Sequence, residues 1–357
     1  MLSASIYPSS QTFCAIPRIQ RALRSVSSKK SFISNLSCYS SFSSTKLGKP
    51  FSCSTQNHHE INGEELSTGS FEDSLRKYFP SALTSRRAAD LSIMALRERG
   101  FKSSNTLLGA SICSDEINVS GRIPKCLYNE LAESCGYKAF ALGGLAGVPF
   151  VGETGLGACV DHVPDNGRLL LFFASHIGIC DHGEIGTLHR IGQKHASRSC
   201  GAAIAAYSLI QKQTQFSRQQ YDAEEEFIYK SLSTRMNNIS FDNSDTMDPL
   251  VVVTYQMYGI IRDVLFDEIH ASLPAITQKC DEIAFLGGIV INQYDMDDYF
   301  LPLLFQTAKS NKSEERLIFT NLYNTVFTPS NFMVRDLSTI LGDRSRAEEI
   351  TKHYDDL

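Results

Sequence analysis

Short, wholly apolar runs alternate with helical patterns along most of this chain, and this alternation constrains its fold more than any other feature. The runs are TLLGASI (106–112), KAFAL (138–142), RLLLFFA (168–174) and EIAFLGGIVIN (282–292). A strand is apolar at successive positions only when both faces of its sheet are covered. The sequence therefore predicts an α/β fold in which a mixed or parallel central sheet is covered by helices.

Helical patterns lie between and around these runs. Helices are expected over 71–80, 84–99, 123–135, 222–233 and 248–273, with another that opens at Cys200. The segment 143–158 is dense in glycine and predicts a loop, whereas the tail from residue 313 is expected to be mostly helical. Additional helices are thus expected on both the N-terminal and the C-terminal side of the core.

The first 57 residues differ in composition from the rest. They contain 16 serines and seven lysines or arginines but no aspartate or glutamate, and the first acid is Glu60. A serine-rich, basic, acid-free leader is typical of an organelle transit peptide. The dense serine favours the chloroplast stroma, with the mitochondrion as second choice and a disordered cytosolic tail as the alternative. After this leader (1–57) we expect a linker and N-terminal helices over 58–89, a core over 90–310 and a helical tail over 311–357.

Charge and hydropathy exclude two classes of function. The net charge is −5 and the body contains no basic block, which argues against sequence-independent binding of nucleic acid. No apolar run reaches the roughly 18 to 20 residues that span a bilayer. We therefore expect neither a nucleic-acid partner nor a membrane span.

Three potential metal donors lie at the ends of predicted elements. Cys113 follows one strand, His176 lies just beyond another, and Cys200 stands at a helix N terminus, where a thiolate is favoured. Reactive residues of an α/β sheet collect at the carboxyl ends of its strands. Two thiolates and one imidazole form the three-ligand set of a catalytic zinc site, with the fourth position left for water. The gaps of 63 and 24 residues are not diagnostic, so buried cysteines and a hydrogen-bonded histidine are the alternative.

Several multi-residue blocks resemble a known family. They are SICSDEIN (111–118), GGLAGVPFVGETGLGACVDHVP (143–164), ASHIGI (174–179), GEIGTLHRIGQ (183–193), SCGAAIAA (199–206) and FLGGIVIN (285–292). Over roughly 90–305 the chain resembles the limiting-carbon-dioxide-inducible protein B/C family of algae, which has a β-carbonic-anhydrase-like domain. The resemblance implies a zinc-dependent carbonic anhydrase, a lyase that interconverts carbon dioxide and bicarbonate. It also implies a role in plastid inorganic-carbon concentration, as a homodimer or as a heteromer with a paralogue.

The same resemblance implies roles for four residues. Cys113, His176 and Cys200 match the metal-ligand positions, and Asp115 matches the active-site carboxylate of a C-x-D-x-R pattern. That carboxylate is expected to accept a hydrogen bond from water at the metal and to orient it toward carbon dioxide.

One departure from the pattern concerns the partner of this carboxylate. The arginine of C-x-D-x-R is replaced by Ile117. Asp115 then needs another cation, without which it would be free to occupy the fourth position on the metal. Arg190 is the first candidate for that cation and Arg122 the second.

Other residues are candidates for contact with the substrate. Gln193 or Arg190 is expected to hold bicarbonate, because the product is an anion. Phe150, Val151 and Leu156 are candidates for an apolar wall that accommodates carbon dioxide, with an ordinary core position as the alternative for each.

A second function fits the same residues. The loss of arginine at position 117 and the long tail after residue 313 suit a non-catalytic zinc-binding scaffold or partner subunit of the same pathway. The apolar face of 248–273 is predicted to pack either inside the subunit or between subunits, and the sequence leaves both open.

Overall fold

The structure is a computed structural model that describes residues 69–119, 126–213, 222–237, 247–293 and 296–327. The expected leader, the linker up to residue 68, Arg122 and the tail beyond residue 327 lie outside the described residues.

Ten α-helices, a 3-10 turn and nine strands form within this part of the chain. The helices are α1 (Phe71–Tyr78), α2 (Ser85–Glu98), α3 (Glu116–Val119), α4 (Leu127–Ser134), α5 (Gly152–Asp161), α6 (Gly201–Gln211), α7 (Ala223–Met236), α8 (Pro249–Ala271), α9 (Leu273–Lys279) and α10 (Tyr323–Val326), with the 3-10 turn at Leu145–Gly147. The strands are β1 (Leu83–Thr84), β2 (Thr106–Ser111), β3 (Ala139–Ala141), β4 (Gly167–Gly178), β5 (Thr187–Leu188), β6 (Ser197–Arg198), β7 (Cys280–Asn292), β8 (Tyr299–Asn311) and β9 (Arg316–Asn321).

Seven strands form one mixed sheet, which confirms the expected fold class. Their order is β1-β8-β7-β4-β2-β3, with β9 beside β8. The four strands β3, β2, β4 and β7 are parallel, and β8 runs antiparallel to β7, β1 and β9. The two short strands β5 and β6 form a separate antiparallel hairpin.

Helices cover both faces of the sheet, which explains why its central strands are apolar throughout. On one face, Phe172 of β4 lies in a buried cluster with Leu96 of α2 and Leu131 of α4. On the other face, Phe173 stacks on Tyr258 of α8 with ring centroids 6.0 Å apart. Successive β4 side chains therefore enter two separate hydrophobic layers, as alternation along a strand requires.

The apolar face of α8 is used inside the subunit. Val253, Met257, Ile260, Ile261 and Leu265 are buried by the chain itself. This settles the choice between packing within and packing between subunits for these residues. Among the described helices, none combines the length and apolar character needed to cross a membrane.

Two local predictions are wrong. The glycine-rich segment 143–158 is not a loop throughout, because α5 begins at Gly152 and buries Leu156 against the body of the protein. Of the expected helical tail the structure describes only the part up to residue 327: here Arg316–Asn321 forms β9 and not a helix, and the short α10 follows. Side chains of β9 alternate between buried and more exposed positions, a two-residue period that is typical of strands.

Gly287 of β7 gives a test of the packing around the sheet. A Cβ atom at this position would lie 2.4 Å from Cζ of Phe173, which is fully buried and cannot move aside. We expect Gly287→Ala to lower the free energy of unfolding by about 1–3 kcal/mol through overpacking. Urea unfolding followed by far-UV circular dichroism measures this change.

Gly157 of α5 is the matched control, since nothing lies within 4 Å of a Cβ atom there. Gly157→Ala is expected to raise stability by up to about 1 kcal/mol, because alanine favours the helix. An unfolding midpoint of Gly287→Ala equal to that of the wild type would contradict the described contact with Phe173.

Candidate metal centre

Parallel pairing brings two of the predicted donors to one edge of the sheet. Ser111, the last residue of β2, pairs with Phe173 of β4. Cys113 lies two residues beyond Ser111, and His176 lies three residues beyond Phe173. The strand that carries His176 continues to Gly178, so this histidine lies within the strand and not just beyond it as expected.

The third donor is delivered by the β5–β6 hairpin. Cys200 lies two residues beyond the end of β6 and is the N-cap residue of α6. The backbone N–H of Gly178 donates to the carbonyl oxygen of Ser199 at 3.0 Å, and the N–H of Gly186 donates to the carbonyl oxygen of Gly178 at 2.8 Å. These bonds fasten the base of the hairpin to the end of β4, beside His176.

The three donors converge and are buried. One ligand atom each from Cys113, His176 and Cys200 lies within 4.8 Å of the others. The two Sγ atoms are 3.9 Å apart. Two sulfurs about 2.3 Å from one zinc ion at a tetrahedral angle lie about 3.8 Å apart. The donor set and its spacing therefore fit a tetrahedral zinc site with one position open.

The orientation of His176 suits a metal ligand. Its Nδ1 lies 2.8 Å from Oδ1 of Asn292 and must donate to that oxygen, which leaves the lone pair on Nε2. Nε2 is buried and has no hydrogen-bond partner among the described residues. The amide of Asn292 is held in turn by a 3.3 Å bond from its Nδ2 to Oδ1 of Asn118. Such outer hydrogen bonds fix the tautomer and the ring orientation of ligating histidines.

The two thiols differ in acidity. The hydrogen bond between them raises the pKa of Cys113 and lowers the pKa of Cys200. Backbone N–H groups of Ala203 and Ala202, in the first turn of α6, contribute further to the lowered pKa of Cys200. Cys200 is therefore the more readily formed thiolate of the pair, as its place at a helix N terminus predicts.

Asp115 is paired with Arg190. Nη2 of Arg190 donates to Oδ2 of Asp115 at 2.7 Å, and the two side chains are only 13% and 14% exposed. Burial opposes ionisation of Asp115, but its hydrogen bond with Glu116 and the charges of His176 and Arg190 outweigh burial and lower its pKa. The structure thus supplies a cation for Asp115 from the hairpin, although position 117 carries isoleucine.

Phe150, Val151 and Leu156, expected as an apolar wall for carbon dioxide, are not among the residues that line the recess beside Cys113 and His176. The recess beside Cys113 and His176 takes its apolar lining from other residues, which include Ile112, Phe172, Ala174 and Val290.

Phe150, Val151 and Leu156 occupy core or surface positions. Phe150 packs edge-on against Phe227 of α7, Val151 is 37% exposed, and Leu156 is buried in α5. Gln193 is an exposed turn residue whose backbone N–H donates to the carbonyl oxygen of Arg190 at 3.0 Å. The described contacts give its side chain no bond to the centre.

Three residues of this centre were not anticipated from the sequence as parts of it. Asn292 accepts a hydrogen bond from His176, Asn118 accepts one from Asn292, and Glu116 accepts one from Arg190. A signal was present for Asn292, which is the polar residue that ends the apolar run GGIVIN. Nothing local marks Asn118 or Glu116.

Comparison with known proteins identifies relatives of the chain. The family of limiting CO2-inducible proteins B/C β-carbonic anhydrases matches residues 82–309. The crystal structure of PtLCIB4, a homolog of the limiting CO2-inducible protein LCIB, is 30% identical, covers 69% of this chain and 98% of that chain, and has a TM-score of 0.61. A histidine-to-alanine mutant of PtLCIB4 gives 30% identity, coverages of 72% and 99%, and a TM-score of 0.62.

LCIB itself is a more distant structural relative. Its crystal structure is 22% identical, covers 70% of this chain and 97% of that chain, and has a TM-score of 0.51, which supports a shared fold alone. No curated protein matches the chain at a significant level.

The ligand assignment predicts the metal content of variants. We expect the purified protein to hold close to one zinc ion per chain, and Cys113→Ser or His176→Ala to lose most of it, because three donors are needed to hold the ion. Plasma mass spectrometry measures the content. Cys135→Ser, which alters a buried thiol at the end of α4, is the control and should keep its zinc. An unchanged zinc content in Cys113→Ser would remove Cys113 from the ligand set.

Asn292 provides a second test, of the orientation of His176. Asn292→Ala removes the acceptor for Nδ1–H and is expected to weaken zinc binding roughly 10- to 100-fold, measured by competition with a chromophoric chelator. Asn311→Ala, at the opposite end of the sheet, should bind zinc as the wild type does. Equal affinity of the two variants would show that the Asn292 bond does not orient the ligand.

Proposed function

Because the chain belongs to the limiting CO2-inducible protein B/C family of β-carbonic anhydrases, we propose that it is a zinc-dependent carbonic anhydrase that interconverts carbon dioxide and bicarbonate. The observation that carries the proposal is the convergence of Cys113, His176 and Cys200 next to the shielded Asp115–Arg190 pair. A structural zinc site needs no such ion pair beside its ligands.

Hydration of carbon dioxide at neutral pH needs hydroxide, which bulk water scarcely provides. The chemistry that zinc supplies when bound is Lewis acidity, which lowers the pKa of water from 15.7 to about 7 in the best-known case. Two thiolates offset the charge of the ion, so a neighbouring protein group must help to orient the water. We assign that task to Asp115.

The two oxygens of Asp115 have different tasks. Oδ2 is held by Arg190, whereas Oδ1 lies 3.5 Å from the backbone N–H of Ile117, which is a long and weak hydrogen bond. Oδ1 is thus left to accept a hydrogen bond from the attacking water and to turn its lone pair toward carbon. Arg190 keeps the carboxylate from swinging onto the metal, and its positive charge favours the bicarbonate anion nearby.

The isoleucine at position 117 does not by itself argue for an inactive protein, because Arg190 takes the place of the missing cation. A non-catalytic zinc-binding scaffold or partner subunit is the second candidate function. It retains the metal centre and lacks hydration activity, and the experiment below separates the two.

The biological setting belongs to the same proposal. The leader composition supports import into the chloroplast stroma, with the mitochondrion as runner-up, and the family supports a homodimer or a heteromer with a paralogue in an inorganic-carbon concentrating pathway. A fluorescent fusion of residues 1–57 tests the location, and light scattering of the purified protein tests the oligomeric state.

Stopped-flow measurement of carbon dioxide hydration tests the activity. We expect the zinc-loaded wild type to accelerate the reaction, and Asp115→Asn and Arg190→Leu each to lower kcat roughly 100-fold, the usual scale for a positioned acid–base or electrostatic group. Both variants should keep their zinc, since neither residue is a ligand. Arg316→Leu, an exposed arginine of β9, should retain the wild-type rate.

The opposite result is also informative. A protein that holds stoichiometric zinc but shows no hydration from about pH 6 to 9, alone or mixed with a paralogue, is the scaffold and not the enzyme.

A further inference from the structure

Arg190 is held by acceptors from two segments of the chain. Its Nε donates to Oε1 of Glu116 at 3.0 Å, and its Nη2 donates to Oδ2 of Asp115 at 2.7 Å. Its Nη1 donates to the hydroxyl of Ser197 and, at 3.3 Å, to the carbonyl oxygen of Arg198. One edge of the guanidinium therefore faces two consecutive carboxylates of one turn, and the rest of it is bound to its own hairpin.

The two carboxylates differ in environment. Asp115 is 14% exposed, whereas Glu116 is 62% exposed. An exposed ion pair adds little to stability. We therefore expect the bond between Glu116 and Arg190 to orient the guanidinium of Arg190 and to add little to the stability of the fold.

The occupied Nε determines how Arg190 meets Asp115. An arginine whose Nε and Nη2 are both available tends to bind both oxygens of one carboxylate in parallel. Here Glu116 takes Nε, so Arg190 binds Asp115 through Oδ2, and Oδ1 makes the long contact with the backbone of Ile117. A two-oxygen pairing would engage the oxygen that the proposed mechanism needs free.

We propose that Glu116 is a positioning residue that keeps the Arg190–Asp115 pair bound through one oxygen and so leaves the other for the attacking water. This inference rests on the proposed function. It also explains how Asp115 can keep a cationic partner although position 117 carries isoleucine. Arg190 comes from a hairpin that is distant in sequence, and Glu116, the residue next to Asp115, holds it in place.

Two substitutions separate orientation from charge. Glu116→Ala removes the acceptor, and we expect kcat to fall about tenfold, the lower end for loss of an outer hydrogen bond at a metal site, with KM and zinc content unchanged. Glu116→Gln removes the same charge but keeps an Oε1 acceptor for Nε–H, and should restore most of the rate. Glu184→Ala, which deletes an exposed carboxylate in the segment leading to the same hairpin, controls for charge and should match the wild type.

An activity-independent measurement accompanies the kinetics. The Nε–H resonance of Arg190, assigned by its disappearance in Arg190→Leu, is expected to shift in Glu116→Ala and to stay near its wild-type position in Glu116→Gln and Glu184→Ala.

The outcomes have distinct meanings. Equal loss of kcat in Glu116→Ala and Glu116→Gln, no loss in either, or an unmoved Nε–H resonance in Glu116→Ala would overturn the positioning role. A zinc-loaded wild type that hydrates no carbon dioxide overturns the proposed function instead. In that case the Nε–H resonance of Arg190 in Glu116→Ala still shows whether Glu116 positions Arg190.

Discussion

The parallel register of β2, β4 and β7 is the constraint on which the candidate metal centre depends. Ser111 pairs with Phe173, and Gly178 pairs with Asn292, so all three strands end at the same edge of the sheet. Side chains alternate between the faces with a period of two. A slip of one residue in β4 would turn His176 to the opposite face, away from both Cys113 and the Asn292 amide that fixes its tautomer.

The same alternation explains why this register is well specified. Phe172 and Phe173 enter different buried layers, one with α2 and α4 and the other with α8. A slipped strand would exchange these two environments all along β4. The ring of Phe173 would then no longer lie over Gly287, whose lack of a Cβ atom leaves room for that ring. Packing in the body of the sheet therefore positions the donors at its edge.

Features of the fold and of the metal centre could be predicted from the sequence where they depend on neighbouring residues, and could not where they depend on contacts between distant segments. The apolar runs predict covered strands, and the ends of those runs mark Cys113 and His176, because both signals are local. Strand order and register depend on contacts between distant segments, so the sequence alone leaves zinc and ordinary buried cysteines as alternatives. The same reason hides Glu116, whose partner lies 74 residues away. At Gly152 local propensity is misleading, because burial of Leu156 outweighs the weak helix preference of the surrounding glycines.

The β5–β6 hairpin links the metal ligand to the cation that holds Asp115. Arg190 lies in the hairpin, Cys200 follows its second strand, and Nη1 of Arg190 is bound to that second strand at Ser197 and Arg198. Its base is fastened to the end of β4 through Gly178. A displacement of this hairpin would therefore move a thiolate donor and the guanidinium together. An ion bound by Cys200 would restrain the hairpin, and the restrained hairpin would hold Arg190 against Asp115. Linked equilibria are reciprocal: if metal binding stabilises the Arg190–Asp115 pair, then the formation of that pair raises the affinity for the metal by the same factor. The acidic turn at Asp115 and Glu116 would thus strengthen metal binding without supplying a ligand.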